Sequence, residues 1–370
     1  MYFLNVESIR LINFRNYNSL NINLNKRINI FIGKNAQGKT NLLESIYMCA
    51  TGRSFKTNRD KEIINFNKNE AYIGAMINID NYEKFIEIKM ERDKNKRIRV
   101  NKTELKNYKE LYSGLNVVIF SPEDLKLVKG GPQERRSFLD MGISQIKPVY
   151  KYNINRYSKI LFQRNNLLKS NKSKSEIFSL LDIFDVQMAK IGTDIIIERA
   201  KFIEGLSDIC KNIHNITTLN NEDLKLEYIS NVQLLKNKTN MEKEYLNKLK
   251  MNFSKDLEIG TTEIGPHRDD IIMYINNRDV KTYGSQGQQR TVVLSIKLSE
   301  VELIKKERGV YPVLLLDDVF SELDEERRKY LTRSFNEMQT IITATDVLDL
   351  EELQNVERSI FYIEEGKLII

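Results

Sequence analysis

The stretch Ile28-Asn-Ile-Phe-Ile-Gly33-Lys-Asn-Ala-Gln-Gly-Lys-Thr40 decides the fold class. Its first five residues form an apolar run that predicts a buried strand, and Asn41–Met48 have helical spacing. Between them, Gly33–Thr40 matches the pattern G-x-x-x-x-G-K-[ST], whose glycines let successive main-chain N–H groups point at one phosphate group. A chance glycine turn is the alternative, but it does not explain the order of strand, loop and helix. We therefore expect a phosphate-binding α/β domain.

Each part of this loop has an expected role. The N-terminus of the following helix adds a partial positive charge, Lys39 reaches the outer phosphates, and Thr40 ligates magnesium. The predicted phosphate cradle consists of Gly33, Lys34, Asn35, Ala36, Gln37, Gly38, Lys39 and Thr40.

A second apolar run, Tyr311–Leu316, ends in two adjacent acids, Asp317 and Asp318. Two carboxylates at the end of a buried strand need a cation or a proton. In a phosphate-binding domain, Asp317 is expected to hold magnesium and Asp318 to lie near the attacking water. The alternative is a turn with two solvated acids.

The polar segment Ser285-Gln-Gly-Gln-Gln-Arg290 comes just before the helix that leads to the acidic strand. Taken alone, it is an ordinary helix start. Its place between the phosphate loop and the acidic strand resembles the ATP-binding cassette superfamily, in which such a segment of one subunit presses on the terminal phosphate held by the other subunit. That resemblance implies nucleotide contacts by Ser285, Gly287 and Gln288.

Hydrophobic periodicity gives a coarse map of the chain. A mainly helical stretch is expected over residues 124–214, with a loop at Lys169–Lys174, and the charged run Lys94–Arg99 breaks the apolar pattern that precedes it. Strands and helices alternate at both ends, as in a parallel sheet with crossover helices. Further helices are predicted at Met241–Leu257, Arg290–Lys306 and Glu325–Asn336; strands are predicted at Tyr2–Leu11, Ile22–Leu24, Ala71–Ile79, Lys84–Met90, Asn116–Phe120, Leu224–Ile229, Ile271–Ile275, Val313–Leu316 and Thr340–Thr343.

These elements predict two domains. Residues 1–120 and 221–370 are expected to form an α/β ATPase head, and residues 121–220 an inserted, mainly helical lobe. The chain has no heptad run long enough for an extended coiled coil, which makes the insert a lobe and not a long arm.

Composition narrows the possible partners. The 370 residues carry 58 Lys and Arg against 51 Asp and Glu, a net charge of +7, which suits nucleic acid or a membrane surface. The chain is also rich in Asn, Lys and Ile, and an AT-rich coding sequence can produce this bias with no selection for binding. Arg53, Lys56, Arg59 and Lys61 follow the phosphate-loop helix and could face DNA, or they form a solvated basic face.

Neither a secreted nor a membrane protein is expected from this sequence. Cys49 and Cys210 show no disulfide or zinc-site spacing, and the N-terminal residues lack the features of a signal peptide. No apolar run approaches the roughly 18 residues that span a bilayer. We expect a soluble protein in the cytoplasm.

The motifs together resemble the RecF family of bacterial DNA replication and repair proteins over nearly the whole chain. The resemblance rests on the two nucleotide motifs described above and on Ser285–Arg290. It rests also on four further segments, Asn13–Tyr17, Ser121–Leu125, Arg135–Asp140 and Gly265–Asp270, and on the motif Phe320–Asp324 that follows the acidic strand. It implies an ABC-type, SMC-like ATPase head without a long coiled coil, and a nucleotide contact by Arg15.

The resemblance also implies cofactors and partners. These are ATP and Mg2+, an ATP-dependent homodimer, single-stranded, gapped or junction DNA, and the RecO and RecR proteins in recombinase loading during the SOS response. Asp318 stands where related heads carry a glutamate, Ser121 where they often carry a glutamine, and Ala344-Thr-Asp346 where they carry a histidine. A weak, DNA-stimulated ATPase is therefore expected.

The roles of the two histidines and two alternative functions remain to be considered. His214 is expected to be structural; His267 either pairs with a nearby carboxylate or, with Arg268, senses nucleotide or a partner. The ATPase subunit of a transporter is one rival function, although it would carry a Leu-Ser-Gly-Gly-Gln signature where this chain has Gly284-Ser-Gln-Gly-Gln288. A metabolic P-loop kinase is the other rival, but it would not need the segment Ser285–Arg290.

Overall fold

The computed structural model describes residues 3–80, 82–106, 109–112, 114–319, 328–329, 332, 334–346 and 357–369. Its strands are β1 (Leu4–Phe14), β2 (Tyr17–Asn23), β3 (Ile28–Ile32), β4 (Glu70–Ile79), β5 (Tyr82–Glu91), β6 (Lys94–Val100), β7 (Thr103–Glu104), β8 (Val117–Phe120), β9 (Leu224–Ile229), β10 (Asp270–Ile275), β11 (Arg278–Asp279), β12 (Val313–Asp317), β13 (Thr340–Ala344), β14 (Arg358–Glu364) and β15 (Lys367–Ile369).

Helices occupy most of the middle of the chain. They are α1 (Lys39–Thr51), α2 (Lys109–Tyr112), α3 (Lys126–Lys129), α4 (Pro132–Ile146), α5 (Pro148–Leu168), α6 (Lys174–Thr217), α7 (Lys238–Met251), α8 (Phe253–Ile259), α9 (Val280–Tyr283) and α10 (Gln286–Arg308). Single 3-10 turns lie at Asp60–Glu62, Pro122–Leu125, Pro266–Arg268 and Ser334–Glu337. The helix predicted at Glu325–Asn336 and the motif Phe320–Asp324 lie largely outside the described residues. No helix in the described ranges has the length and apolar content needed to cross a membrane.

The chain divides into two compact units. The first comprises residues 1–124 and 294–370, and the second residues 125–293. Residues 221–293 were expected in the head, but they belong to the second unit, in which β9 packs on α6 and β10 packs on α4. The segment after residue 220 therefore completes the lobe with a three-stranded sheet in the order β11-β10-β9.

A mostly parallel sheet forms the part of the first unit that carries the glycine-rich loop. Its order is β15-β14-β3-β13-β12-β8, and only the β14–β15 pair is antiparallel. Every residue of β3, β8, β12 and β13 is buried, which explains why these strands appear in the sequence as unbroken apolar runs. The parallel register brings the carboxyl ends of β3 and β12 to the same edge of the sheet, on either side of β13.

The N-terminal strands form a different sheet from the one that the sequence predicted. The order β2-β1-β4-β5-β6-β7 is antiparallel throughout, so the expected parallel crossover pattern at this end of the chain is wrong. Short turns can join antiparallel strands, whereas parallel strands need a crossover connection. The like-charged run Lys94–Arg99 lies in strand β6, which pairs with β5. Glu91 pairs there with Lys94 and Arg97, and Asp60 pairs with Lys96.

Helix α1 lies between the two sheets of the first unit. It contacts β4 and β5 of the antiparallel sheet and β8, β12 and β13 of the parallel sheet. All residues from Leu42 to Thr51 are buried, and the helix ends at Gly52 in the left-handed conformation. Burial on all sides fixes the N-terminus of α1, where the phosphate loop ends.

The Gly265–Asp270 segment lies inside the second unit. The Tyr157 hydroxyl lies 2.8 Å from His267 Nδ1, and His267 Nε2 lies 2.8 Å from the Thr262 carbonyl oxygen. Burial lowers the pKa of His267 to about 4, which keeps the ring neutral at physiological pH. Arg268 pairs with Glu263. His267 thus contacts a tyrosine and a carbonyl, and not the carboxylate that one interpretation of the sequence expected.

Gly265 is expected to be indispensable to this packing. Its φ is +129°, and an added Cβ would lie 1.9 Å from the Tyr245 hydroxyl and 2.4 Å from the Tyr157 hydroxyl. Gly265→Ala should therefore lower the free energy of unfolding by more than about 2 kcal/mol. Gly131→Ala is the control, because no heavy atom lies within 4 Å of an added Cβ there. Urea denaturation of the full chain measures both, and equal stability of the two variants would contradict the prediction.

Candidate nucleotide site

The loop between β3 and α1 is a tight turn held by side chains from the β1–β2 hairpin. Ala36 has φ +66° and Gly38 φ +115°, both in the left-handed region. The Asn16 amide donates to the Gln37 carbonyl over 2.8 Å, and the Tyr17 hydroxyl donates to the Gly38 carbonyl over 3.0 Å. With these carbonyls held from behind, the loop can present N–H groups on its other side.

The C-terminal hairpin β14–β15 holds the same loop. The Gly366 N–H donates to the Gln37 carbonyl over 3.0 Å. At Gly33, an added Cβ would lie 2.4 Å from the Ile363 carbonyl oxygen of β14. Glycine is therefore required at position 33 by the close approach of another strand.

Lys39 lies at the centre of the loop and is almost completely buried. Its Nζ donates to the Gly33 carbonyl over 2.6 Å and to the Lys34 carbonyl over 3.3 Å, and it lies 3.8 Å from Asp318 Oδ1. The Lys39 side chain is 4 % exposed, and lysine is almost never buried to this extent unless it is paired.

Asp317 connects the end of β12 to the start of α1. Its Oδ1 accepts hydrogen bonds from the Thr40 hydroxyl over 2.8 Å and the Thr343 hydroxyl over 3.0 Å. Burial raises the pKa of Asp317 above its usual range, and the neighbouring Asp318 carboxylate adds to that shift, whereas the two hydroxyl bonds oppose it. A carboxylate in this environment is stabilised by a nearby cation, and its oxygen together with that of Thr40 is the hard donor set that Mg2+ prefers.

Asp318 adopts a strained backbone conformation beside the loop. Its φ is +53°, and its N–H donates to the Thr343 hydroxyl over 3.0 Å. The side chain is 32 % exposed and lines a small cavity with Lys39 and Thr40. The two acids therefore have different environments, one buried against hydroxyls and one open to the cavity.

That cavity, of about 120 Å3, lies at the predicted phosphate cradle, and it shares two lining residues with an open groove of about 740 Å3. Asn41 and Lys56 line both. The cradle is lined by residues 35–41 with Lys56 and Asp318; the groove is lined by Arg15, Asn16, Asn41, Lys56, Lys61, Glu62, Ile64, Phe66 and Arg92.

Arg15 is held in a fixed orientation at the edge of the groove. Its guanidinium donates two hydrogen bonds to the Glu44 carboxylate, over 2.6 and 2.9 Å, and one to the Glu62 carbonyl over 2.7 Å. Glu44 is fully buried on α1 and also accepts from the Ser54 hydroxyl. The ion pair neutralises the buried acid and leaves the guanidinium at the groove wall.

The four basic residues after α1 do not share one environment. Lys56 donates to the Asn41 side chain over 3.0 Å, and partial desolvation lowers the pKa of this exposed lysine. Lys61 lines the groove, whereas Arg59 is 73 % exposed and pairs with Glu62 at 3.5 Å. The Arg53 carbonyl accepts from the Thr51 hydroxyl. Lys56 thus faces the cradle that holds Lys39.

Ser285, Gly287 and Gln288 belong to the second unit, at the N-terminus of α10. The Ser285 N–H donates to the Gln288 side-chain oxygen over 2.8 Å, and the Gln288 N–H donates to the Ser285 hydroxyl oxygen over 3.2 Å. These reciprocal bonds form a capping box. An added Cβ on Gly287 would meet only Ser285 Oγ, at 3.9 Å, so the folded chain itself does not require glycine there.

Several site residues were not predicted individually. Asn16 and Tyr17 stood in the Asn13–Tyr17 motif, but only Arg15 was assigned a role there. Thr343 carried a usable signal, since it lies at the end of a buried strand, and in parallel sheets the carboxyl ends of neighbouring strands line the ligand site. Asn41 directly follows the loop.

Comparison with known proteins agrees with this geometry. The family model described as the RecF/RecN/SMC N terminal domain matches residues 5–366. Two relatives named DNA replication and repair protein RecF are similar in sequence. The protein of Alkaliphilus oremlandii is 48 % identical over 365 residues, which cover 98 % of this chain and 99 % of the relative. The protein of Clostridium novyi is 46 % identical over 361 residues, which cover 98 % of each chain. The chain belongs to the RecF family.

Solved structures support the same assignment. A structure of the recombination mediator protein RecF with ATP in the RecFOR pathway has a TM-score of 0.90 and 36 % identity, covering 100 % of this chain and 99 % of the other. The Smc head domain of Pyrococcus furiosus, at a TM-score of 0.55 and 16 % identity, covers 100 % of this chain and 96 % of the other, and it shares the fold alone. This RecF-family chain thus has an SMC-like, ABC-type ATPase fold.

The environment of Asp317 gives a prediction with a defined sign. Because the pKa is raised on folding, the ionised carboxylate destabilises the fold increasingly as pH rises from about 4. Asp317→Asn should therefore melt above the parent at pH 7 to 8 without nucleotide, where 1 kcal/mol corresponds to about 2–4 °C. It should lose the further stabilisation that the parent gains from Mg2+ and ATP.

Differential scanning fluorimetry at pH 4 and pH 7.5 measures both effects. Asp80→Asn is the control, because Asp80 lies at an exposed turn with φ +50°, a conformation that asparagine tolerates. If Asp317→Asn melted below the parent at pH 7.5 and still responded to Mg2+, the metal role of Asp317 would be wrong.

Proposed function

We propose that this protein is an ATP-dependent DNA-binding protein of recombinational DNA repair and replication, in which ATP drives two heads together. The observation that carries the proposal is the single cradle formed by Lys39, Thr40, Asp317 and Asp318, which come from two segments far apart in the chain. A metabolic kinase, the rival function, would not need the segment Ser285–Arg290.

The residues at the cradle have separate tasks toward ATP and Mg2+. The main chain of residues 33–40 and the Lys39 ammonium bind the phosphates, and the Thr40 hydroxyl and the Asp317 carboxylate hold the metal ion. Arg15 and Lys56, at the wall of the adjoining groove, contact the rest of the nucleotide. When bound, Mg2+ neutralises charge on the outer phosphates; the protein groups orient them and limit water access.

Slow hydrolysis is proposed because Asp318 is a short acid on a backbone that Thr343 holds. Its backbone N–H is fixed by Thr343, and its side chain is one methylene shorter than the glutamate of related heads. Positioning water for attack requires a carboxylate within hydrogen-bond distance, and a shorter side chain reaches less far. ATP binding and stimulation by DNA then control whether the two heads associate more than the rate of hydrolysis does.

A composite site between two subunits is supported by Gly287. Glycine in the first turn of a helix costs up to about 1 kcal/mol relative to alanine, and the folded chain offers space for a side chain there. Close approach of a group from outside the subunit would explain why position 287 carries no side chain. We propose that the Ser285 hydroxyl, Gly287 and the turn containing Gln288 approach the terminal phosphate held by the Lys39 loop of a second copy.

The proposed partners are DNA and the proteins of the same pathway. Relatives are named for DNA replication and repair, and the solved RecF structures are described within the RecFOR pathway. We propose binding to single-stranded, gapped or junction DNA and loading of recombinase with RecO and RecR, in the cytoplasm and as part of the SOS response. The basic excess supports an anionic partner, since residues 125–293 hold 27 Lys and Arg against 20 Asp and Glu.

Mixing two defective subunits tests the composite site. Lys39→Ala removes the ammonium contact to the phosphates and should weaken ATP binding roughly 10- to 100-fold. Ser285→Arg should leave ATP binding by the isolated subunit within about twofold and block ATP-induced dimerisation, because a bulky cation fills the space meant for the partner's phosphate. A mixed dimer should recover part of the ATPase activity, since it has one intact site.

Analytical ultracentrifugation and turnover measurements on the mixture provide the readout. Tagged purification confirms that mixed dimers are present. Absence of recovery in confirmed mixed dimers would show that Ser285 and Lys39 do not complement each other across an interface. Unimpaired dimerisation of Ser285→Arg alone would lead to the same conclusion.

The DNA proposal is tested by the dependence of binding on salt. Log affinity should fall linearly with log salt concentration, with a slope of about 0.9 for each phosphate contacted. Arg59→Gln with Lys61→Gln should reduce that slope by about 1 to 2. The pair Arg156→Gln with Lys159→Gln, exposed on α5, tests the second unit in the same assay. Unchanged slopes for both pairs would exclude both surfaces as phosphate contacts.

A further inference from the structure

The capping turn at the start of α10 is attached to a buried side chain by a chain of hydrogen bonds. Gln288 uses its side-chain oxygen to accept from the Ser285 N–H and its side-chain nitrogen to donate to Glu222 Oε1, over 2.8 Å in each case. The two bonds have opposite polarity, so they fix which way the amide points. The side chain of Gln288 is therefore committed to its own subunit.

Glu222 lies between the end of α6 and the start of β9. Its second oxygen, Oε2, lies 3.0 Å from His214 Nε2, and its side chain is 20 % exposed. His214 is completely buried in the last turn of α6. Because an ionised carboxylate only accepts hydrogen bonds, Gln288 and His214 both donate to it. Each carboxylate oxygen of Glu222 thus accepts one of these two hydrogen bonds.

We propose that Glu222, held by His214, is a positioning residue that orients the capping turn of α10 through Gln288. Ser285 and Gly287 then keep one arrangement in the free subunit, and dimerisation spends less free energy on ordering the turn. Gln288, assigned above to the composite site, acts there through the turn and not by touching phosphate. The inference rests on the proposed composite site.

The chemistry of the first helical turn makes a sharp test available. Glutamate is as suitable as glutamine at the third position of a capping box, and a negative charge near a helix N-terminus is favourable. Gln288→Glu therefore keeps the bond from the Ser285 N–H, but it places a second carboxylate against Glu222. The exchanged pair, Glu222→Gln with Gln288→Glu, restores a donor and an acceptor at this contact and leaves an oxygen for His214.

The experiment measures the dissociation constant of the ATP-induced dimer for full-length variants by analytical ultracentrifugation. Glu222→Ala should weaken dimerisation about fivefold or more, as expected for the loss of one hydrogen bond to a charged group that orders the turn, and Gln288→Glu should weaken it at least as much. The exchanged pair should dimerise at least about threefold better than Gln288→Glu. ATP binding by the isolated subunits should stay within twofold of the parent, because the Lys39 loop is untouched.

Asp223→Ala is the matched control. Asp223 carries the same charge one residue further along, but it is 57 % exposed and pairs with Lys211 at 2.8 Å. This variant should dimerise like the parent. If Glu222→Ala does not fold, the comparison of Gln288→Glu with the exchanged pair carries the test, because both retain polar groups at the contact.

The outcomes separate this inference from the proposed function. If Ser285→Arg blocks dimerisation while Glu222→Ala stays within twofold of the parent, the positioning role is wrong and the composite site stands. An exchanged pair no better than Gln288→Glu alone would also overturn the positioning role. If Ser285→Arg dimerises normally, the composite site itself fails.

Discussion

The hydrogen bond between the Thr40 hydroxyl and Asp317 Oδ1 joins residues that are 277 positions apart in the chain. It exists because β3, β13 and β12 are parallel and in register, which places the end of β12 beside the loop that follows β3. Thr343, at the end of β13 between them, bonds to the same carboxylate oxygen. The cradle is thus a consequence of strand order: without β13 in the middle, Asp317 would lack the second hydroxyl that holds it.

The local parts of this arrangement were predictable from the sequence. Strand β3 has the predicted bounds Ile28–Ile32, and β9 has the predicted bounds Leu224–Ile229. In both cases a short apolar pattern is bounded by turn or polar residues, which is a signal that does not depend on distant parts of the chain. The glycine-rich loop and the paired acids carry their chemistry in adjacent residues, and their positions at strand ends followed from the apolar runs before them.

What could not be predicted depends on pairing between distant segments. The run Lys94–Arg99 lacks an apolar pattern, and it forms a strand through its antiparallel pairing with β5, where Glu91 and Asp60 also offset part of its charge. The β14–β15 hairpin that holds Gln37 was not predicted, since nothing in its sequence shows that it joins β3. The lobe boundary was misplaced for the same reason: β9 and β10 have strand patterns typical of either unit, and their packing on α6 and α4 decides the assignment.

Helix α10 carries a second constraint on the acidic strand. Lys297 and Glu300, both buried, form an ion pair at 2.9 Å, and Lys297 lies 3.9 Å from Asp124. The Asp124 carboxylate accepts from the Ser121 N–H over 2.7 Å, just after the end of β8, the strand that pairs with β12. Burial raises the pKa of Asp124, and the nearby Lys297 opposes that shift.

Separating such charges costs several kcal/mol, because each would remain buried without its partner. The part of α10 that carries Lys297 is therefore tied to the end of β8, next to the strand that ends in Asp317. The same helix begins at the capping turn that Gln288 and Glu222 hold. Within the first unit, moving Lys297 away from Asp124 would leave buried charges unpaired, so this part of α10 and the end of β8 are expected to keep their relative position.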